Sequence, residues 1–549
     1  MRLSFKQIIL TIFLIITPLV ISMLPFFVQS FKTPPDRVFM GLHRWSEDYY
    51  GYLHSINQGL MGHIKIENKL TLIPHPPTYI HSEYAFLGLV GRFFSLNSVL
   101  VYHLSRLVLG AIYLFTAFYF FYFLFNLFFT ASAKNYKLKI INYASLAFFF
   151  SFFVPGFPKI FVTPNFPFFA SNFEPFLKWW VELDVVRRAT ILPHYIMGDI
   201  FFLTTTIYFL KTPSKKDFTS RFLLFISSLL LSFVHPIDYL ILTGTVFLFF
   251  VINLFKKKSF FFPLLTIILA GLIPFLYYRR VFALPFYRFV TEHGTTTGYH
   301  IPVWDFILAH GPVFFLAAGA IFLLGKNIRR LSDPVLFLFS WTIVQTAFFL
   351  KLFEVFNFDR LRTLHAPYYL PLAFFATIFI FKIKNVFKIS NFHFKIISFA
   401  ACFLFAFPLY FSVKNQIYEV SDFKTFSPFV YPSRKQYEAY LFLRNNTPKN
   451  SPITAMYETK FLLPAVSGNK IAFGANFEND KNYDASASMI NKLYSGQTDS
   501  DSAYKFLSEN KIAYVYWGYQ EKSFGGDLNK FTFLQKIFDN GEVGVFAVK

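Results

Sequence analysis

Apolar residues run along this chain in long blocks, separated by short polar connections, with little of the strict alternation that marks half-buried strands. The first block, from about Ile8 to Val28, is long enough to cross a bilayer core, which takes roughly 20 apolar residues in a helix. Arg2 and Lys6 precede it, and Leu24-Pro25-Phe26-Phe27-Val28-Gln29 lacks the small-residue pattern of a signal peptidase site. It therefore reads as an uncleaved transmembrane helix. Further blocks lie near 99–130, 140–155, 190–210, 221–235, 237–255, 259–279, 303–325, 334–353, 366–381 and 396–413. The pattern predicts an α-helical polytopic membrane protein with about eleven transmembrane helices.

The connections sort by charge. Basic clusters at Arg2 and Lys6, Lys134 to Lys139, Lys211 to Arg221, Lys256 to Lys258, Lys326 to Arg330 and Lys382 to Lys395 fall in alternate connections, with only Asp217 and Asp333 near them. The positive-inside rule places these segments, and so the N-terminus, in the cytoplasm. Loops 31–98, 156–189, 280–302 and 354–365, the turn at His235-Pro236 and everything after about residue 414 are then extracytoplasmic.

From Lys414 the blocks stop and charged residues, Asn, Ser and Gly become frequent. Ile453 to Tyr457, Lys470 to Phe473, Ile512 to Trp517 and Val543 to Val548 read as strands, and Arg434 to Arg444, Ala485 to Leu493, Ser502 to Ser508 and Lys530 to Phe538 as helices. Gly468, Gly474 and Gly518 punctuate the turns. The expected organisation is a transmembrane domain over 1–413, carrying the first outer loop 31–98, and a small extracytoplasmic α/β domain over 414–549.

Composition agrees: 549 residues are 55% hydrophobic and 22% aromatic, with 83 Phe. The formal net charge of +22 sits in the short clusters between spans and forms no continuous patch, so membrane topology accounts for it and nucleic acid is not a partner. The single cysteine, Cys402, lies in an apolar run and rules out an intrachain disulfide or paired-thiol chemistry.

Chemistry concentrates in the first outer loop. Glu47-Asp48-Tyr49-Tyr50-Gly51-Tyr52 follows the first span, and Tyr52, Ile56 and Leu60 recur every fourth residue. That spacing predicts a helix lying along the interface with Asp48 near its N-terminus, where the dipole favours a carboxylate. Asp48 then serves either as a helix cap or as a base. Gly62, His75-Pro76-Pro77-Thr78-Tyr79, His81-Ser82-Glu83-Tyr84 and Arg106, the last inside the second span, come next. Arg106 needs a partner, for which Glu83 and Asp48 are candidates.

This ordered set resembles the C-type (GT-C) polytopic glycosyltransferases, the group that includes protein mannosyltransferases and aminoarabinose transferases. Asp48 with Tyr52 is similar to their Asp-Glu-x-x-Tyr element, Gly62 to the following glycine, His75-Pro76-Pro77-Thr78-Tyr79 to a Lys-Pro-Pro-x-x-Tyr-like element, and Arg106 to an early arginine of the next span. Two positions depart: Tyr49 stands in place of Glu, with Glu47 before Asp48 instead, and His75 replaces Lys. The similarity covers residues 1 to 125.

The resemblance implies inverting transfer of a sugar from a polyprenyl-phosphate-linked donor to a glycan, lipid or protein acceptor at the outer membrane face, with membrane lipid as surroundings. Asp48 is the expected base, with Glu47 as substitute. Arg188, Arg360 and Arg362, on outer loops against the positive-inside trend, are expected with Arg106, His75 and Tyr52 to meet substrate and phosphate. Some relatives use a divalent ion, for which Asp48, His81 and Glu174 are candidates, although no H-x-x-x-H or H-E-x-x-H spacing is present. The competing readings are a transporter or flippase for a lipid-linked substrate and a catalytically degenerate member of the fold acting in envelope assembly.

Overall fold

Every apolar block contains a helix. The computed structural model describes residues 5–130, 137–160, 173–175, 183–212, 218–255, 260–288, 302–325, 331–350, 360–388, 390–419, 423, 425–472 and 483–549. The helices are α1 (Phe5–Phe31), α2 (Ser46–Leu60), α3 (Ser82–Phe93), α4 (Ser98–Thr130), α5 (Lys137–Phe152), α6 (Pro193–Lys211), α7 (Phe218–Val234), α8 (Pro236–Leu254), α9 (Phe261–Phe282), α10 (Val303–Ala309), α11 (Pro312–Gly325), α12 (Asp333–Phe349), α13 (Tyr369–Val386) and α14 (Asn391–Glu419). By length and composition, five of the described helices can cross a membrane, and six if the pair α10 and α11 counts as one span. The expected single span over 303–325 is corrected: it bends by 99° between α10 and α11, where Gly311 adopts a positive φ of 61° and Pro312 begins the next helix.

The chain forms two units. One comprises Met1–Pro25, Ser105–Arg280 and Gly294–Gln416. In it α6 lies against α7, α8 against α12, and α5 and α11 against α13. Phenylalanine supplies much of this packing: Phe125 stacks on Phe374 at 4.5 Å, and buried Trp341 meets Phe202 at 4.6 Å. Trp341 donates to Gln345 (2.8 Å), which in turn donates to Thr363 O and Ala366 O and so fastens the short 3-10 turn Arg360–Leu364 beside α12. Strands β1 (Pro158–Ile160) and β2 (Phe173–Pro175) pair antiparallel.

The other unit comprises Phe26–Leu104, Val281–His293 and Ile417–Lys549, so the first outer loop and the C-terminal segment share one compact body. Its sheet, in the order β4-β3-β5-β7-β6, is built from β3 (Pro452–Thr454), β4 (Lys470–Ile471), β5 (Tyr514–Trp517), β6 (Leu534–Asp539) and β7 (Gly544–Val548). β3, β4 and β5 run parallel, and β7 joins β5 antiparallel. Helices α15 (Arg434–Asn446), α16 (Tyr457–Ser467), α17 (Tyr483–Ser495) and α18 (Ser500–Glu509) complete the α/β fold. Two expectations are corrected. The helix expected over Lys530–Phe538 is a 3-10 turn (Leu528–Lys530) followed by β6, because Asp539-Asn540-Gly541 makes a hairpin turn, with Gly541 at φ 84°, that pairs β6 with β7. The strand expected to reach Tyr457 stops at Thr454, and α16 follows despite Pro464 in its interior. Gly468 ends that helix in the left-handed conformation, as its turn role requires, and Gly474 lies outside the described residues.

Helix α2 is enclosed by protein on most of its surface. Tyr49 and Tyr50 and everything from Tyr52 to Gly59 are buried, because α3 lies along one side and α16 along another. The crossing with α3 is close enough to require glycine: a Cβ on Gly59 would stand 2.0 Å from Ala85 O, and one on Gly88 2.2 Å from Ile56 O. On the α16 side Asn57 donates to Ala465 O and Val466 O.

Candidate active site

Asp48 and Glu47 occupy the first turn of α2, and Asp48 is exposed at the start of a helix that is otherwise enclosed. The helix is not capped by Asp48: the N-cap residue is Trp45, in a left-handed conformation, with no side-chain cap hydrogen bond. Asp48, two residues into the helix, keeps the favourable field of its N-terminus.

Around it the sequence places aromatic rings. Tyr52 is stacked on Tyr84 at 4.3 Å and meets the His81 ring edge-on at 5.5 Å. Tyr49 donates to Met40 O (2.6 Å), and its ring contacts Tyr102 at 5.0 Å. The His103 Nε2 lies 2.8 Å from Gly41 O. The buried rings of Tyr49, Tyr52, Tyr84 and Tyr102 hold the backbone on either side of Asp48.

His81 precedes α3, and its Nδ1 lies 3.2 Å from Glu83 Oε1. Burial acts to lower its pKa, but the hydrogen bond to Glu83 and the charges of Glu83 and Asp48 outweigh it, so the net shift is upward. Asp48, His81 and Glu83 therefore act on one another, and Glu83, read from sequence as a partner for Arg106, here bonds His81. His75 spends both ring nitrogens on its own loop, Nε2 receiving Asn68 N–H (3.0 Å) and Nδ1 facing Ile73 O (2.7 Å), while its ring stacks on Phe286 at 4.5 Å. Gly62 turns the chain after α2 with φ 97°.

The base of this loop is tied to the C-terminal segment within the same unit. Glu67 pairs with Lys470 at 2.5 Å and with Lys69 at 3.3 Å. Buried His54 lies 2.9 Å from Glu67 O. Desolvation pushes its pKa down to about 4, the Glu67 carbonyl offsetting only part of that.

The predicted arginines fall in the other unit. Arg106 is buried and its Nε donates to Thr190 O (2.6 Å) and Ile191 O (3.0 Å), with Nη2 reaching Thr190 Oγ1 (3.4 Å). Arg188 donates to Ser151 O (2.6 Å) and lies over the Tyr369 ring at 4.2 Å. The Tyr369 hydroxyl hydrogen-bonds that of Tyr113. Arg362 is exposed on the 3-10 turn that Gln345 fastens, and the side chain of Arg360 lies outside the described residues. So does the side chain of Glu174, whose backbone forms part of β2. Among the described residues no three His, Cys, Asp or Glu groups gather as a metal site. Asp184, read from sequence with Glu174 and Glu182 as a possible second acidic group, has its carboxylate engaged by Ser412 (2.7 Å), Gln416 (2.9 Å) and Arg187 (3.3 Å).

By sequence, no family model and no curated protein matches the chain. Solved structures match it over nearly its whole length. The oligosaccharyltransferase AglB from Archaeoglobus fulgidus, solved with an inhibitory peptide and a dolichol-phosphate, aligns with 100% of this chain and 75% of its own at 14% identity and a TM-score of 0.54. The same archaeal enzyme in complex with Zn and sulfate aligns with 97% and 73% at 14% identity and 0.51. ArnT from Cupriavidus metallidurans, solved bound to undecaprenyl phosphate, aligns with 97% of both chains at 12% identity and a TM-score of 0.51. At this identity the likeness concerns the fold, and the apolar helices make the chain an integral membrane protein: its fold is that of the polytopic GT-C membrane glycosyltransferases.

Proposed function

We propose that this protein transfers a sugar from a polyprenyl-phosphate-linked donor to an acceptor hydroxyl at the extracytoplasmic membrane face, with inversion at the anomeric carbon. The observation that carries this reading is an exposed carboxylate, Asp48, standing at the N-terminus of a helix that is buried nearly all round, on a GT-C fold.

In the proposed reaction the acceptor hydroxyl gives its proton to the Asp48 carboxylate as its oxygen bonds to the anomeric carbon. The carbon–phosphate-oxygen bond breaks, and the lipid phosphate leaves with the electron pair. Glu47 keeps the local field negative, Tyr52 stacked on Tyr84 steadies the helix that carries Asp48, and His81 with Glu83 holds the loop beside it. Developing charge on the departing phosphate calls for guanidinium groups. Within their own unit, Arg106 and Arg188 donate to backbone carbonyls and Arg362 is exposed on its turn. Orientation follows the charge sorting of the sequence, with the N-terminus cytoplasmic and the C-terminal segment outside. Among the described residues the broken pair α10 and α11 is a feature that favours a transporter, since discontinuous helices line transport sites.

The test is a panel of polyprenyl-phosphate sugars given to the purified protein. Wild type should transfer at least one, and Asp48→Asn should lower the rate by about 100-fold or more, the scale of a lost general base. Unchanged transfer by the variant removes the role of Asp48. Lipid flipping without transfer would favour the transporter.

A further inference from the structure

Helix α3 is apolar on two opposite faces, and only one of them is covered by protein. No charged residue stands between Glu83 and Arg92. Tyr84, Ala85, Leu87, Gly88 and Gly91 are buried. Gly88 packs against α2, and Gly91 packs against the start of α4, where a Cβ on it would stand 2.2 Å from Val101 Cγ2. On the other face Phe86, Val90 and Phe93 recur at i, i+4 and i+7, and they are 55%, 42% and 86% exposed, with Phe94 beyond them at 70%. A helix face turned to bulk water carries polar side chains, so a contiguous apolar stripe of this kind marks a surface with something to meet.

What it meets follows from its neighbours. The turn after Phe93 leads directly into α4, which is long and apolar enough to cross a membrane, and exposed Leu100 and Leu104 carry the apolar stripe onward into that span. The part of α4 beyond Arg106 already supplies the roughly 20 residues that a bilayer core takes. Val101, against which Gly91 packs, therefore lies at the edge of that core, and α3 lies there with it. The flank of the stripe is basic. Arg92 is exposed in the last turn of α3 and reaches the turn at Gly62, where a Cβ would stand 2.7 Å from its Nη1. Exposed His63 and Lys65 follow, with Lys65 Nζ 5.4 Å from the centre of the Tyr79 ring. Apolar rings bordered by Arg, Lys and Tyr are the composition of a helix lying in the plane of a membrane interface, its basic groups turned to lipid phosphates.

We propose that Phe86, Val90, Phe93 and Phe94 form a membrane-docking surface that seats α3 at the boundary between acyl chains and headgroups of an anionic leaflet, and that this seat sets the depth of Asp48. The partner is the leaflet itself, with acyl chains receiving the Phe rings and anionic headgroups meeting Arg92 and Lys65. The depth of α3 reaches Asp48 through rigid contacts within one unit: Gly59 and Gly88 bring α2 and α3 to backbone contact, and Tyr52, one turn after Asp48, stacks on Tyr84 of α3 at 4.3 Å. A change in how far α3 sinks therefore moves the carboxylate by the same amount. This second part rests on the lipid-linked-donor reading given above, because a donor held in the leaflet presents its phosphate and sugar at headgroup height, whereas the docking surface itself does not depend on that reading.

The experiment places the full chain, in a Cys402→Ser background, in nanodiscs of phosphatidylcholine and phosphatidylglycerol and attaches a spin label at Phe86→Cys, Val90→Cys or Phe93→Cys, with Lys505→Cys on α18 as the water-exposed reference. Labels on α3 should relax with oxygen, which concentrates in lipid, and be shielded from a water-soluble nickel chelate that reaches Lys505→Cys. Should one variant not fold, the other two positions on the same face serve. Labels on α3 reached by the nickel chelate overturn the docking surface, and labels shielded from both reagents overturn it in favour of a protein partner such as a second copy of this chain. For the depth of Asp48, Phe86→Ser with Phe93→Ser should lower kcat/KM for a long-chain polyprenyl-phosphate sugar in the nanodisc by about tenfold or more, the scale of a small misplacement of a reacting group, and leave transfer from a short-chain soluble donor in detergent unchanged. Equal loss with both donors, or loss with neither, overturns the depth-setting role. Failure of wild type to transfer from any donor overturns the donor reading and the role of depth with it, while the label accessibilities still decide the docking surface.

Discussion

His54 and His81 lie in one unit, close to the two ends of the same loop, and titrate in opposite directions. His54 is buried and held neutral, with its pKa lowered to about 4. Between its ordinary value near 6.5 and that value the unfolded chain binds the extra proton, so stability is fully present above about pH 6.5 and falls as pH drops toward 4. The shift of roughly 2.5 units, at about 1.4 kcal/mol each, limits this loss to about 3 kcal/mol. Thermal midpoints of the wild type should therefore fall across that window, and those of His54→Gln should fall less. His81 has the reverse sign. Its pKa is raised, so the contribution of its contact with Glu83 is complete below the ordinary value and disappears as pH rises through the folded one. With the His81 side chain 47% exposed, the effect is that of a screened pair, at most about 1 kcal/mol. The midpoint difference between wild type and His81→Gln should be larger at acid than at alkaline pH, and a constant difference would show that Glu83 and Asp48 do not act on this ring.

At the level of elements, the crossing of α2 and α3 depends on two glycines that the sequence offers no special reason to notice. Gly59→Leu and Gly88→Val each force a side chain into a backbone carbonyl, at 2.0 and 2.2 Å from the would-be Cβ. Helix separation must grow, costing at least the roughly 1–3 kcal/mol of an overpacked core. Both variants should lower the thermal midpoint and open the loop to protease near His63, whereas Gly51→Ala, with nothing within 4 Å of its Cβ, should leave both unchanged. This contrast also marks what was legible. The helix and the place of Asp48 near its N-terminus could be read from Glu47-Asp48 and the four-residue spacing from Tyr49 to Leu60, because those signals are local. Its burial could not, since the covering helix α16 comes more than 390 residues later and contains Pro464, which reads as a breaker. The hairpin of β6 and β7 failed for the opposite reason: Asp539-Asn540-Gly541 is a local turn signal, but Leu534 to Phe538 lacks the alternation of a half-buried strand. Motif spacing singles out Asp48 and Tyr52 as candidates, while the pairing of His235 with Asp238 and the bond from Tyr195 to His365 arise from helix packing that no spacing encodes.

At the level of the whole chain, the placement of charge and the placement of chemistry make one joint demand. The Lys and Arg clusters at 211–221, 256–258 and 326–330 belong on the cytoplasmic side if short basic loops are retained there, and the odd number of spans expected before the C-terminal segment then puts Asp48 and the α/β sheet on the other side. A lipid-linked donor exposed at the outer face is reachable only in that arrangement. The single native cysteine, Cys402, makes this testable with little disturbance, since Cys402→Ser gives a background free of thiols. In intact cells a membrane-impermeant maleimide should label Ser502→Cys, near the N-terminus of α18 on the C-terminal segment, and should label Ser214→Cys, within the basic connection after α6, only after the membrane is opened. Labelling of Ser214→Cys from outside would invert the chain, place Asp48 in the cytosol, and leave the carboxylate at the start of α2 without the donor that its proposed role requires.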